Sequence, residues 1–370
     1  MRRSWPTALV IVGLAAALAF PALRLGVTPH LILLVLVPGL VFEAAFALDR
    51  HELRAVAGPL VALAIPGVLI SAATVTIVLA TLAGLPAPLA FVLGAITAAT
   101  DPVAVVATMA RLKVPARLRT LVEGESLLND GTGLVLFVLA LEAAGGGLGI
   151  ADGVLQFAVV ISASVALGLA AGFLADRAMA RVGGRVLEFA VTAVLAYGAY
   201  LLADTLHLSG IVATVVGAVV LGSGMRQRSA VAAVTQLDRA WSKIALVLTV
   251  ITLLAIGFAI DLTALPAAGG AIALGTAAVL GARAVMVYLP LALRRAAGHP
   301  DIPAGWAQVL FWSGLRGAIA LAAALSLPPE IPQRHELQQI AFGIVLITLV
   351  VQGAIAPFVI GRVIREGGRS

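Results

Sequence analysis

The hydrophobic pattern divides the chain into twelve apolar segments joined by short polar stretches. A helix needs roughly 20 apolar residues to cross a hydrocarbon layer of about 30 Å, so each segment predicts a transmembrane helix. No connecting loop is long enough to fold as a soluble domain, so we predict one all-α polytopic membrane domain over residues 1–370. The segments are about 7–25, 30–48, 56–83, 88–110, 120–144, 153–175, 187–206, 208–224, 241–260, 268–292, 305–327 and 337–361.

Composition supports a helical membrane protein. Hydrophobic residues make up 61% of the chain and charged residues 11%, whereas soluble domains carry roughly 25% charged residues. The long uninterrupted apolar runs favour helices over a transmembrane barrel. The chain has no cysteine, which excludes disulfides and thiolate chemistry. Its five histidines lack metal-ligand spacing, so a zinc site is not expected.

The first segment has two interpretations. Its basic start and apolar middle, MRRSWPTALVIVGLAAALAFPAL, also suit a cleaved signal peptide. We favour a retained first span, because the apolar stretch from Thr7 to Leu25 is long enough to cross the bilayer.

Basic residues alternate between the two sides of the predicted bundle. With the N-terminus in the cytoplasm, 20 of the 24 Lys and Arg residues fall in cytoplasmic stretches, and only Arg24 and Arg334 fall in outer loops. This asymmetry follows the positive-inside rule and predicts that both termini are cytoplasmic. Because the charges are spread over short loops, the net charge of +6 does not indicate nucleic-acid binding. The remaining two, Arg283 and Arg316, lie inside spans and each requires a partner.

The fifth segment begins with the polar stretch EGESLLNDGTGLVLF, residues 123–137. At 3.6 residues per turn, Ser126, Asn129, Asp130 and Gly133 share one helix face, with Glu125 at its edge. Carboxylate, amide and hydroxyl oxygens are what a hard cation needs to replace its hydration shell. A carboxylate that holds either a cation or a proton can exchange the two. An acidic helix start with a serine cap is the plainer interpretation, but it does not account for polar residues two turns further on.

Two other segments carry predicted helix breaks. In AITAATDPVAVVATM, residues 95–109, the proline disfavours helix near Thr100 and Asp101, where a carbonyl, a hydroxyl and a carboxylate become available to an ion. In FWSGLRGAIALAAALSLP, residues 311–328, two glycines bracket Arg316. The breaks fall in the middle members of two three-span groups that enter the membrane with opposite polarity. This pattern is typical of inverted-repeat transporters with a site at the midplane, where Asp101 and Arg316 can compensate the half-helix dipoles.

The remaining intramembrane charges permit several pairings. We predict that Glu125 and Arg316 form a structural ion pair, because an unpaired charge at that depth costs about 3–5 kcal/mol. Arg283 is left to backbone carbonyls or an unnamed acidic residue. Glu43 either lines an aqueous entrance or pairs with Arg283. Charges nearer the span ends are interpreted as solvated or helix-end charges; they are Glu123, Asp204 and Asp261.

The motifs FEAAFALD, TDPVAVVA, EGESLLNDGTG, HLSGIVA and GLRGAIALA, in this order, resemble the monovalent cation:proton antiporters of the NhaP/NHE type from about residue 30 to the end. The resemblance implies a homodimeric sodium/proton antiporter with a mobile core and a static dimerisation scaffold. Many relatives have thirteen spans, the additional one preceding the first span here.

The resemblance also assigns roles to individual residues. It implies that Asp130 binds cation and proton in turn and that Asn129 is the neighbouring asparagine of the electroneutral branch. It implies that Thr100, Asp101 and Ser126 complete the Na⁺ site, and that Glu125 and Arg316 are an ion pair that orients the site helices. No cofactor is implied beyond the transported Na⁺ and H⁺.

The expected mechanism is elevator-type alternating access with 1:1 exchange in the cell membrane. Segments 56–145 and 268–361 would form the moving core, segments 7–50 and 187–260 the scaffold, and 153–175 the connecting helix. Potassium/proton exchange and a cation channel that uses the same oxygens are alternatives. An intramembrane aspartyl protease using Asp101 and Asp130 is a remote one, because the TDP and NDG contexts do not match the YD and GxGD motifs of those enzymes.

Overall fold

The structure is a computed structural model that describes Val12 and residues 30–101, 103–112, 114–228, 231–259, 263, 265–296 and 303–367. These residues form helices and short connections, with no β-strand among them. Eleven predicted segments coincide with one helix or with a pair of short helices, and the first predicted segment lies outside the described residues apart from Val12. The helices are α1 Leu31–Ala47, α2 Arg50–Leu82, α3 Ala87–Ile96, α4 Val103–Leu112, α5 Ala116–Ala144, α6 Ile150–Met179, α7 Arg185–Thr205, α8 Gly210–Arg228, α9 Val231–Ala259, α10 Gly269–Ala296, α11 Ala304–Trp312, α12 Ala318–Leu325 and α13 Arg334–Arg365.

Several long helices contain a wider π-type turn that frees backbone carbonyls. In α2 this turn covers Leu63–Gly67 and includes Pro66, which lacks a backbone donor. The hydroxyl of Thr132 on α5 donates to the carbonyl of Ala64 within this turn, at 2.8 Å. The proline-induced irregularity in α2 therefore becomes an attachment point for the helix that carries the polar motif.

Two membrane segments are interrupted at the predicted positions. The first breaks between α3 and α4, where Pro102 cannot donate to a continuing helix, and the second breaks between α11 and α12 across residues 313–317. The two breaks meet, because the amide of Asp101 donates to the carbonyl of Leu315 at 2.7 Å. Unwound backbone at membrane depth is tolerated only when it is buried in protein or lines a cavity. Here a backbone amide of one break donates a hydrogen bond to a backbone carbonyl of the other.

The apolar core divides into two clusters. The larger cluster is built mainly from α2 to α5 and α10 to α13. The smaller one is built mainly from α1, α7, α8 and the first part of α9, and it includes a few side chains of the other group, such as Leu127 and Ile319. Helix α6 packs along α8, where a Cβ added at Gly168 or Gly172 would press against the α8 backbone. These small residues allow close helix approach in lipid.

Candidate functional site

Three polar side chains connect α5 to the α3–α4 break. Thr100 donates to the hydroxyl of Ser126 at 3.2 Å, and the amide nitrogen of Asn129 donates to the hydroxyl of Thr100 at 3.2 Å. All three side chains are buried. Gly133, one turn beyond Asn129, allows α5 to approach the break, because a Cβ there would lie 3.3 Å from the amide nitrogen of Ala99. The structure therefore brings together the predicted polar face of α5 and the predicted break.

The orientation of Asn129 is determined by its neighbours. Its amide nitrogen also donates to Oε1 of Glu125 at 3.2 Å. An ionised carboxylate only accepts hydrogen bonds, so the nitrogen of the amide must point towards Glu125. The other end, Oδ1, finds no hydrogen-bond donor among the described residues. A buried amide oxygen, on the residue that precedes Asp130 in the chain, is thus left available.

The partner of Glu125 differs from the prediction. Both terminal nitrogens of Arg283 on α10 donate to the two carboxylate oxygens of Glu125, the second at 3.0 Å. The guanidinium of Arg283 also donates to the carbonyl of Leu310 at the end of α11. Glu125 therefore pairs with Arg283 and not with Arg316. Arg283 lies between α5 and the second break. There its guanidinium can donate to a carboxylate and to a free carbonyl at the same time.

Arg316 serves the first break instead. Its side chain donates to the carbonyls of Ala98 and Ala99 at 2.8 and 2.9 Å, just beyond the end of α3. Asp101 lies against Gly317, the residue that precedes α12, where any added Cβ would overlap its carboxylate. A positive charge thus lies at a carbonyl end and a negative charge at an amide end, as the predicted dipole compensation requires.

Asp130 and Asp101 line one cavity of about 330 Å³. One wall of the cavity belongs to α1 and α9, and the other belongs to α5 and the start of α12. Asp130 is half-buried, and its carboxylate lies close enough to Asp101 and Arg316 to interact with their charges. The cavity therefore brings the predicted central carboxylate to the seam between the two apolar clusters.

Other charged residues in this cavity correct or extend the predictions. Glu43 lines it and accepts from Ser242 at 2.8 Å, so it is not the partner of Arg283. Glu123 was expected to be a solvated or helix-end charge, yet it is buried, lies two turns inside α5, lines the cavity and pairs with Arg119 at 2.7 Å. The spacing of four residues between Arg119 and Glu123 was a usable signal for that pair. Nothing in the local sequence identified Ser242. Asp204 is exposed, as predicted, and Asp261 lies outside the described residues.

The arrangement offers a hard cation a set of oxygen ligands in a mostly apolar bundle. The carboxylates of Asp130 and Asp101 line the cavity, whereas the hydroxyls of Thr100 and Ser126 and the free amide oxygen of Asn129 are buried and are not among its lining groups. Oxygen ligands of this kind suit small hard cations, and a carboxylate in the same place can instead bind a proton. The role of these residues as ligands stays a prediction.

Comparison with known proteins identifies the family. The sodium/hydrogen exchanger transmembrane family model matches residues 4–361. The Na⁺/H⁺ antiporter ApNhaP of Aphanothece halophytica is 35% identical over 370 residues, covering 98% of this chain and 70% of the relative. The low-affinity Na⁺/H⁺ antiporter NhaS1 of Synechocystis is also 35% identical, covering 97% of this chain and 69% of the relative.

Solved structures show the same fold. The sodium proton antiporter MjNhaP1 of Methanocaldococcus jannaschii superimposes with a TM-score of 0.71 at 18% identity, covering 98% of this chain and 97% of that one. The interrupted and crossing helices are thus part of an antiporter fold. The chain belongs to the sodium/hydrogen exchanger family of membrane transporters.

Proposed function

We propose that this protein exchanges Na⁺, or another monovalent cation, for protons, and that Asp130 binds the cation and the proton in turn. The observation that carries the proposal is the shared cavity in which Asp130 and Asp101 lie beside the two crossed helix breaks. The antiporter relatives, with 35% identity over nearly the whole chain, support sodium as the cation. Thr100, Ser126 and Asn129 would complete the ligand set, and the Glu125–Arg283 pair would hold α5 in place.

The exchange is proposed to be electroneutral, with one cation for one proton. A single carboxylate that must be occupied before it crosses a dry barrier couples the two ions, because an empty charged carboxylate is costly there. The neighbour of Asp130 on α5 is the neutral Asn129, so Asp101 is the second carboxylate of the cavity, and the proposal assigns the exchanged proton to Asp130 alone. Exchange that is independent of membrane voltage in liposomes would support this stoichiometry, and a voltage-dependent rate would contradict it.

The proposed movement is of elevator type. The larger apolar cluster would be the moving core and the smaller one the scaffold, which is also the proposed homodimer contact. Two observations support this division: the clusters involve mostly different helices, and the ion cavity lies between them. We further propose a cell-membrane location with both termini in the cytoplasm, on the basis of the positive-inside asymmetry.

The decisive experiment replaces the central carboxylate. In proteoliposomes, Asp130→Asn is expected to abolish Na⁺-dependent proton movement, because an amide cannot take turns between a cation and a proton. Asp152→Asn, at an exposed position in the first turn of α6, is the matched control and should retain activity. Full exchange by the Asp130 variant would refute the assignment, and Na⁺ flux without proton counter-movement in the unmodified protein would indicate a channel.

A further inference from the structure

An arginine lines the cation cavity, which calls for an explanation. Arg119 lies on α5 about three turns before Asp130, and its side chain is 46% exposed, whereas that of its partner Glu123 is only 10% exposed. Both side chains line the same cavity as Asp130. A fixed positive charge on the route to a cation site opposes cation entry. Its presence is explained if it neutralises negative charges that would hinder transport more.

Two carboxylates that line this cavity from different helices would hinder transport. Glu123 belongs to α5, and Glu43 belongs to α1 on the other wall of the cavity. The charge of Arg119 acts on both carboxylates, and the two carboxylates act on each other. One of the two oxygens of Glu43 accepts from Ser242. Without Arg119, these residues would present two negative charges and a hydroxyl to any entering cation.

We propose that Arg119 acts as a tethered counter-ion at the mouth of the cavity, the part lined by Glu43, Arg119 and Glu123. Its guanidinium occupies a cation position there and prevents Glu43 and Glu123 from capturing the transported cation. The inference rests on the proposed function. Glu123 and Asp130 are seven residues apart on one helix, which corresponds to about 10 Å. A cation held at the mouth would therefore stop short of Asp130 and slow both entry and release. With Arg119 present, the three side chains carry a net charge of −1, which still attracts cations into the cavity.

The test measures how many Na⁺ ions bind to purified protein, with ²²Na⁺ as the probe. Arg119→Gln is expected to bind one additional Na⁺ per chain relative to its parent, and to exchange several-fold more slowly at saturating Na⁺. Arg119→Lys keeps the charge and should bind like the parent. Arg119→Gln combined with Glu123→Gln should lose the additional ion, because the second carboxylate is then neutral.

The matched control is Arg117→Gln. Arg117 lies on the same turn of α5, but it faces Glu52 at 3.9 Å and does not line the cavity. It should add no Na⁺ site, which separates a local effect from a general loss of positive charge. An equal gain of Na⁺ in the Arg117 variant, or no gain in the Arg119 variant, would overturn the inference.

Repeating the measurement in the Asp130→Asn background separates the two proposals. The baseline of that variant tests whether Asp130 is the main site. The additional Na⁺ bound after Arg119→Gln tests whether Glu43 and Glu123 form a cation site at the mouth. The same additional ion is expected whether or not the main site is present. An increment that disappears with Asp130→Asn would overturn the inference, because the gained ion would then belong to the central site.

Discussion

At the scale of single residues, the buried arginines are stabilised by backbone carbonyls as well as by charge. Arg316 donates to the carbonyls that follow α3, and Arg283 combines Glu125 with the carbonyl of Leu310. These carbonyls are available because the helices are interrupted or end there. The helix breaks and the intramembrane arginines therefore satisfy each other, and neither would be stable alone at that depth.

Breaking the Glu125–Arg283 pair should destabilise the protein strongly. Arg283→Gln leaves the carboxylate of Glu125 buried and uncompensated, so we expect a loss of about 3–5 kcal/mol in the free energy of unfolding. The double variant Arg283→Met with Glu125→Leu should recover part of that loss, because no charge is left unpaired. Thermal unfolding in detergent measures both, and Arg117→Gln in an exposed pair is expected to cost at most about 1 kcal/mol. Equal losses for the single and double variants would contradict the pairing.

The approach of Asp101 to Gly317 gives a second prediction at this scale. Gly317→Ala places a methyl group where the Asp101 carboxylate lies. We expect at least a tenfold weaker apparent affinity for Na⁺ in transport assays, with the protein still folded. Gly270→Ala on α10, where an added Cβ meets nothing within 4 Å, is the control. Unchanged affinity in the Gly317 variant would show that Asp101 does not need this position for ion binding.

At the scale of helices, α6 and α8 are joined by small residues. The sequence GLAAG on α6 places Gly168 and Gly172 one turn apart, against Ala213 and Gly217 of α8. Such spacing permits van der Waals contact between helix backbones, which is a main source of helix association in lipid. Helix α6 is therefore held against α8 by close packing along its middle, and the ion pair between Asp176 and Arg228 adds a charged contact at one end.

Replacing one of these glycines should separate the two helices. Gly172→Leu forces a large side chain against the backbone of α8, and we expect a loss of about 1–3 kcal/mol in the free energy of unfolding. Gly281→Leu on α10 is the matched control, because an added Cβ there meets nothing within 4 Å. The comparison uses the melting temperatures of the two purified variants, each measured against the unmodified protein. A loss confined to the control would contradict the packing described here.

At the scale of the whole molecule, α5 contacts the start of α8 immediately after Asp130. A Cβ at Gly131 would lie 2.6 Å from a methyl group of Val212 on α8, and the hydroxyl of Ser209 lies 3.5 Å from the carbonyl of Gly131. On the far side of this contact, α5, α6 and α7 line a second cavity of about 540 Å³ that begins at Leu134, one turn beyond Asp130. The contact of Gly131 with α8 thus lies between Asp130 and the part of α5 that lines this second cavity.

Cross-linking this contact tests the proposed movement. The chain has no cysteine, so Gly131→Cys with Val212→Cys introduces the only two thiols. Replacing Val212 also removes the methyl group that would collide with a side chain at position 131. Oxidation is expected to stop exchange and reduction to restore it, while Val212→Cys alone remains insensitive to the oxidant. Full exchange by the oxidised pair would show that the core does not move past α8.

Local chemistry was sufficient to predict the helices and their interruptions. Hydrophobic runs mark the spans because lipid demands them, and Pro102 and the glycines around Arg316 interrupt the helix through their own backbone properties. The face of α5 that carries Ser126, Asn129 and Asp130 follows from helical periodicity. These features depend on residues close together in the chain, so the amino-acid pattern alone specifies them.

Partners far apart in the chain needed the three-dimensional arrangement. Glu125 was predicted to pair with Arg316, but the position of α10, which packs against α2 and α11, brings Arg283 to it instead. The burial of Glu123 and the approach of Ser242 to Glu43 depend on how α1 and α9 lie against α5. A charge is stabilised by whichever donors surround it in space, and helix packing alone determines which donors those are.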